Sequence, residues 1–127
     1  MASFIMGFDF GTTKIGVAIG QKITGTATPI AIVPAKDGIP DWSILDKLMK
    51  EWQPEVFVVG LPINMDGTES DMSLAAQKFS RRLNGRYQKT AHLMDERLST
   101  FEAKSFDDPD QLDAIAAKLI LESWLAN

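Results

Sequence analysis

The chain has 127 residues, 45% of them hydrophobic, which suits one domain spanning 1–127 with its own core and leaves no room for a second of full size. With no cysteine and a single histidine, it excludes disulfides, thiolate metal sites, thiol nucleophiles and multi-histidine centres. The formal net charge of -4 argues against a broadly basic surface that coats nucleic acid, though local patches can still take phosphates. The N-terminal apolar run lacks a basic leader and a small-residue cleavage site, and no apolar stretch approaches the roughly 20 residues that span a bilayer. A cytoplasmic protein with no membrane partner is the expectation.

Phe4 to Gly20 reads as an apolar strand, a glycine turn at Gly11 and a second apolar strand. On the first strand Phe4, Met6, Phe8 and Phe10 share one face, while Ile5, Gly7 and Asp9 share the other. Both faces are largely apolar, as in a central strand covered on both sides. Asp9 is the only charge between Met1 and Lys14. A carboxylate in that setting is costly unless it is paired or coordinates a metal. Thr12 and Thr13 beside it offer donors to an anion. Lys22 to Val33 reads as a third strand ending at Pro34, and Ala35 to Pro40 as a loop around Asp37-Gly38.

A helix is predicted from about Asp41 to Trp52, with Trp42, Leu45, Leu48, Met49 and Trp52 as its apolar stripe and Gln53-Pro54 closing it. Val56 to Gly60 is uniformly apolar, as suits a buried parallel strand. After a loop to Gly67, a second helix is predicted from about Ser70 to Leu83, with Met72, Ala75, Ala76, Phe79 and Leu83 inward and Asn84-Gly85 as its stop. Its other face carries Lys78, Arg82 and Arg86, spaced four apart, with Arg81 alongside. That stripe reads equally as a solvated helix face or as a phosphate contact. Thr90 to Asp95 is the fifth strand, with His92 packed on the sheet. Ser99-Thr-Phe-Glu102 matches a capping box and should open a short helix. Phe106 to Asp110 is an acidic break. The last helix is predicted over about Gln111 to Leu125, with Leu112, Ile115, Leu119 and Trp124 inward.

Hairpins first and strand-helix-strand units after give an α/β fold: a five-stranded mixed sheet, three antiparallel strands then two parallel, with helices on both faces. Three acids can meet in such a fold: Asp9 on the first strand, Glu96 past the end of the fifth, and Asp113 in the first turn of the last helix. Read from spacing alone, Asp113 serves equally as a helix N-terminal charge and Glu96 as a partner for Arg97. Gathered in one cleft, three carboxylates would raise each other's pKa values unless cations neutralised them. Oxygen-only ligands favour Mg²⁺ or Mn²⁺, and two such ions can support in-line attack on a phosphodiester.

Several segments, in order over nearly the whole chain, resemble the YqgF (RuvX-like) family. They are Phe8-Asp-Phe-Gly-Thr-Thr-Lys-Ile-Gly-Val-Ala18, Ile23-Thr-Gly-Thr-Ala27, Glu51-Trp-Gln-Pro54, Val59-Gly-Leu-Pro-Ile-Asn-Met-Asp-Gly-Thr68, Asp95-Glu-Arg-Leu-Ser-Thr100, Leu112-Asp113 and Leu119-Ile-Leu-Glu-Ser123. The resemblance implies an RNase H-like fold and an acidic metal site at Asp9, Glu96 and Asp113. It also implies a hydrolase of phosphodiester bonds that matures the 5′ end of 16S ribosomal RNA in ribosome biogenesis, or a Holliday junction resolvase acting on branched DNA. Lys14, Arg97, Lys78, Arg82 and Arg86 are the phosphate-binding candidates for either substrate. The ribosome is a possible partner, and the chain is expected to be a monomer or a homodimer, the junction version needing two sites. Between Lys104 and Asp113 the chain departs from the family pattern, being short and acidic where the family carries glycines and basic residues. That leaves Asp107, Asp108 and Asp110 as alternative third acids and keeps open a catalytically impaired nucleic-acid-binding module. Asp9-Phe-Gly-Thr-Thr13 also resembles the first phosphate loop of two-domain sugar kinases and chaperone ATPases, of which this chain could supply one domain.

Overall fold

A computed structural model describes residues 3–64, 66–96 and 109–126. The order is β1 (Phe4–Asp9), β2 (Lys14–Gln21), β3 (Thr26–Lys36), β4 (Ile39–Pro40), α1 (Trp42–Trp52), β5 (Val56–Leu61), α2 (Asp71–Tyr87), β6 (Ala91–Asp95) and α3 (Pro109–Leu125). One sheet runs β4-β3-β2-β1-β5-β6. Neighbours from β4 to β1 are antiparallel, and β1, β5 and β6 run parallel. β1 is therefore central, as its two apolar faces demand. Among the described residues no helix is long and apolar enough to cross a membrane.

Among the described residues the sheet has six strands where five were expected, because the Ala35–Pro40 loop is instead the end of a hairpin. Asp37 (φ 52°) and Gly38 (φ 80°) both take positive φ. An Asp-Gly pair in that conformation makes the two-residue turn whose twist matches flanking strands. β3 thus runs on through Pro34 to Lys36, and Pro34 is tolerated because β4 covers only the last two residues of that edge. At its other end β3 begins at Thr26, and residues 22–25 form a turn in which Gly25 has φ 68°.

The alternation along β1 divides the core into two layers. Met6, Phe8 and Phe10 pack with Phe57, Phe79, Leu83 and Leu45 under α1 and α2. Ile5 packs with Ala18, Val58, Ala117, Ile120 and Leu121 under α3. Phe8 meets Phe57 and Phe79 edge-on, with centroids 5.9 and 5.4 Å apart. Burying each such ring contributes roughly 1.5–3 kcal/mol.

Asp41 caps α1 by accepting from the Ser43 amide, and α1 ends at Gln53 in the left-handed conformation. Ser70 caps α2 in the same way through the Ser73 amide. α2 does not stop at Asn84-Gly85: it runs to Tyr87 and is closed by Gln88 at φ 56°. A glycine inside a helix costs only about 1 kcal/mol. Here that is offset by Tyr87, which packs on Trp42 and Phe57 and donates to Asp46 at 2.7 Å. Met72 is exposed rather than inward, and Ser73 takes the buried place beside Ala76. On α3 the fully buried positions are Ala117, Ile120 and Leu121, with Ile115, Leu119 and Trp124 half-buried. The Glu122 carboxylate accepts the Ala27 amide at 3.0 Å and so covers part of the β3 edge. The Ser99–Glu102 capping box and residues 106–108 of the acidic break lie outside the described residues, while Pro109 and Asp110, expected in that break, already belong to α3.

Candidate active site

Asp9 ends β1 with its side chain on the α3 face of the sheet, opposite the Phe8 face. Its in-register partner on β2 is Gly16. On β5, Phe8 pairs with Val59, so Gly60 comes level with Asp9 on the other side. The carboxylate therefore stands in a row of the sheet between two glycines. A Cβ on Gly16 would overlap the Asp113 carbonyl oxygen, so the bare backbone there lets α3 sit directly over β2 at Asp113. Asp113 lies one turn into the helix rather than in its first turn, because α3 begins at Pro109. A Cβ on Gly60 would stand 3.0 Å from Glu96 Oε1 and 3.1 Å from its Cδ. Glu96 follows β6, which is not β1's neighbour, and its side chain crosses β5 through the space that Gly60 leaves.

The result is a hydrogen-bonded pair. Burial first, then the charge and hydrogen bond of Glu96, then the charge of Asp113, push the Asp9 carboxyl up to about 8. Burial also raises Glu96, its hydrogen bond to Asp9 works the other way, and the Asp95 charge adds to the rise. Burial and the neighbouring acids thus all favour the protonated form of Asp9, hydrogen-bonded to Glu96. Two acids that share a proton in a partly buried site are a pair that a hard divalent cation could occupy in the proton's place. Asp113, half-buried on α3, adds a charge felt at Asp9. Among the described residues, however, no three acidic or imidazole groups stand close enough together to hold one ion. The donor set therefore fits a cation through the Asp9–Glu96 pair, with Asp113 contributing negative potential.

The turn that follows Asp9 is pinned from below. The amides of Gly38 and Ala35 donate to the Thr12 and Thr13 carbonyls at 3.0 and 2.8 Å. Thr12, Thr13 and Lys14 are exposed. Lys14 lies two residues from Gly16 along β2, on the face that carries Asp9. A hollow of about 480 Å³ beside this hairpin is lined by Pro34, Lys36, Asp37 and Ile39 and is bordered by none of Asp9, Glu96 and Asp113. The remaining phosphate-binding candidates are placed differently. Lys78, Arg82 and Arg86 are on α2, which covers the opposite face of the sheet. Arg86 is engaged bidentately by Asp46, at 3.1 and 2.8 Å, and lies 4.8 Å over the Trp42 ring. Arg97, Asp107 and Asp108 lie outside the described residues.

The two glycines were the part of the site that sequence reading missed. The signal was present: an isolated glycine inside an apolar strand marks a close approach by something else.

The RuvX family model, described as Holliday junction resolvase, matches residues 3–127. A Proteus mirabilis protein named "Putative pre-16S rRNA nuclease" is 55% identical over 129 residues, covering 94% of this chain and 93% of its own. One of the same name from Aeromonas hydrophila is 51% identical over 130 residues, covering 95% and 93%. Among solved structures, T. thermophilus RuvC in complex with a Holliday junction substrate superposes with a TM-score of 0.61 at 11% identity, over 98% of this chain and 95% of that one. The yeast mitochondrial Holliday junction resolvase Ydc2 gives 0.59 at 10% identity, over 98% and 78%. At such identities the likeness concerns the fold, which is the RNase H-like arrangement of a mixed sheet between helical layers.

Proposed function

The chain belongs to the RuvX family, and on that footing we propose that it is a divalent-metal-dependent nuclease that hydrolyses phosphodiester bonds in the 5′-end maturation of 16S ribosomal RNA. The observation that carries the reading is the half-buried Asp9–Glu96 carboxyl pair, brought together across Gly60. Mg²⁺ or Mn²⁺ held there, in a one- or two-ion site, would supply charge neutralisation at the phosphoryl oxygens and a water of lowered pKa. Asp9 and Glu96 would be its ligands, giving up their shared proton as it binds. Asp113 would hold the negative potential that attracts it. Lys14, exposed on the same face of the sheet, and the exposed Thr12 and Thr13 of the turn that follows Asp9 would orient the phosphate that approaches the pair.

The names carried by the Proteus and Aeromonas relatives favour precursor ribosomal RNA, with the ribosome precursor as a partner. The family's own description favours a second reading, cleavage of a four-way DNA junction by a dimer. Both use the same carboxylates. Incubating wild type and Asp9→Asn with a precursor 16S fragment and with a four-way DNA junction separates them. Metal-dependent cleavage of RNA, lost in the variant and in EDTA, supports the first; preference for the junction supports the second. Folded protein that cuts neither substrate would refute both and leave a binding module that has kept the fold.

A further inference from the structure

We propose that the outward face of α2 is a second nucleic-acid contact, taking the sugar-phosphate backbone of the substrate away from the bond that is cut. Between Asp71 and Asp95 the sequence has five cations, Lys78, Arg81, Arg82, Arg86 and Lys89, and no acid, in a chain whose net charge is -4. α2 turns Ser73, Ala76, Phe79 and Leu83 inward. That leaves Lys78 and Arg81 in solvent and Arg82 half-buried beside them. Spaced at i, i+3 and i+4, the three side chains lie together on one face of the helix. Gly85 continues that face one turn on, and a Cβ there would meet nothing within 4 Å, so the helix backbone is open to close approach.

The fate of Arg86 sharpens the patch. Its guanidinium is bound by Asp46 and stacked over Trp42, so it ties α2 to α1. Lys78, Arg81 and Arg82, by contrast, form no ion pair with any acid among the described residues. Three like charges that repel one another and neutralise no acid among the described residues suit a polyanion outside the chain. α2 covers the sheet face opposite Asp9, so the patch cannot touch the phosphate at the carboxylates. It would hold a flank of a polynucleotide that extends past the sheet. The inference rests on the nuclease reading only for the identity of that polyanion.

The test measures affinity by fluorescence anisotropy of a labelled precursor 16S fragment, across a salt series, in an Asp9→Asn background so that nothing is cut. Adding Lys78→Glu and Arg81→Glu, both exposed positions, is expected to weaken binding at least tenfold near 100 mM salt. It should lower the slope of log K against log salt by about two, one for each phosphate that the variant no longer neutralises, with an unchanged melting curve. In the catalytic background, the pair of substitutions should slow cleavage of the long fragment and spare a short oligonucleotide that spans only the cut. Unchanged affinity and slope would overturn the inference while leaving the nuclease intact. Patch-dependent binding by a protein that cuts nothing would sink the nuclease and keep the patch. Wild type that binds no RNA would overturn the patch.

Discussion

Glu96 reaches Asp9 across Gly60. β6 and β1 are not neighbours in the sheet, and the two acids meet only because the strand between them carries no side chain at the crossing point. Gly60→Ala would place a Cβ 3.0 Å from Glu96 Oε1 and 2.6 Å from Ile120 Cδ1. Overpacking of this kind costs about 1–3 kcal/mol. The expected outcome is a modest fall in Tm with a loss of cleavage of tenfold or more, since Glu96 is the group displaced. A cleavage rate that tracks only the stability loss would show that Glu96 need not cross.

Gly16→Ala should be the harsher substitution. The new methyl would collide with the Asp113 main chain, which cannot swing aside as a side chain can. We expect a stability loss at the upper end of the overpacking range, read by denaturant unfolding, together with loss of activity.

The shared proton makes metal-free stability depend on pH. The folded Asp9 carboxyl is raised from its ordinary 3.8 to about 8. Its contribution is therefore complete below the ordinary value and is lost as pH rises through about 8. In EDTA the wild-type Tm should fall from pH 5 to pH 9. Asp9→Asn, which keeps a neutral group there, should fall less and melt a few degrees higher at pH 8. Parallel wild-type and variant profiles would contradict the assignment of the proton to Asp9.

Arg86 and Asp46 give a contrasting case. The pair is exposed, at 42% and 47% of the side-chain surface, and the Arg86 hydrogen bond holds Asp46 below its ordinary value. Arg86→Ala should lower Tm slightly above pH 5 and lose that effect as pH falls and Asp46 protonates. RNA affinity should stay unchanged, because Arg86 is already committed within the fold. A loss of affinity matching that of Lys78→Glu would put Arg86 back in the phosphate patch.

Much of the fold was legible because the strands announce it. Alternation along Phe4–Asp9 placed Phe8 and Asp9 on opposite faces, and the two core layers divide along that line. The second half, strand then helix then strand, left little choice but parallel pairing with β1. β4 was missed because two residues carry no periodicity, although Asp37-Gly38 was the turn signal that would have found it. The end of α2 was misplaced because Gly85 looks like a stop until Tyr87 is seen to have partners on α1 and β5. At the site, Asp9 stood out as a charge in an apolar strand. Arg86 did not stand apart from its stripe, since its partner Asp46 is on another helix and no helical spacing connects them. The same holds for Glu96 and Gly60, whose relation exists only in the folded sheet.

Calorimetric titration of Mn²⁺ into wild type, Asp9→Asn, Glu96→Gln and Asp113→Asn, in two buffers of different ionisation enthalpy near pH 7, addresses the carboxylate site most directly. Wild type should bind with release of close to one proton, the one now shared by Asp9 and Glu96. Asp9→Asn and Glu96→Gln should abolish both the binding and the release, and Asp113→Asn should weaken binding while keeping the release. Mn²⁺ binding that survives Asp9→Asn and Glu96→Gln unchanged, or that releases no proton in wild type, would contradict a cation site built on this pair.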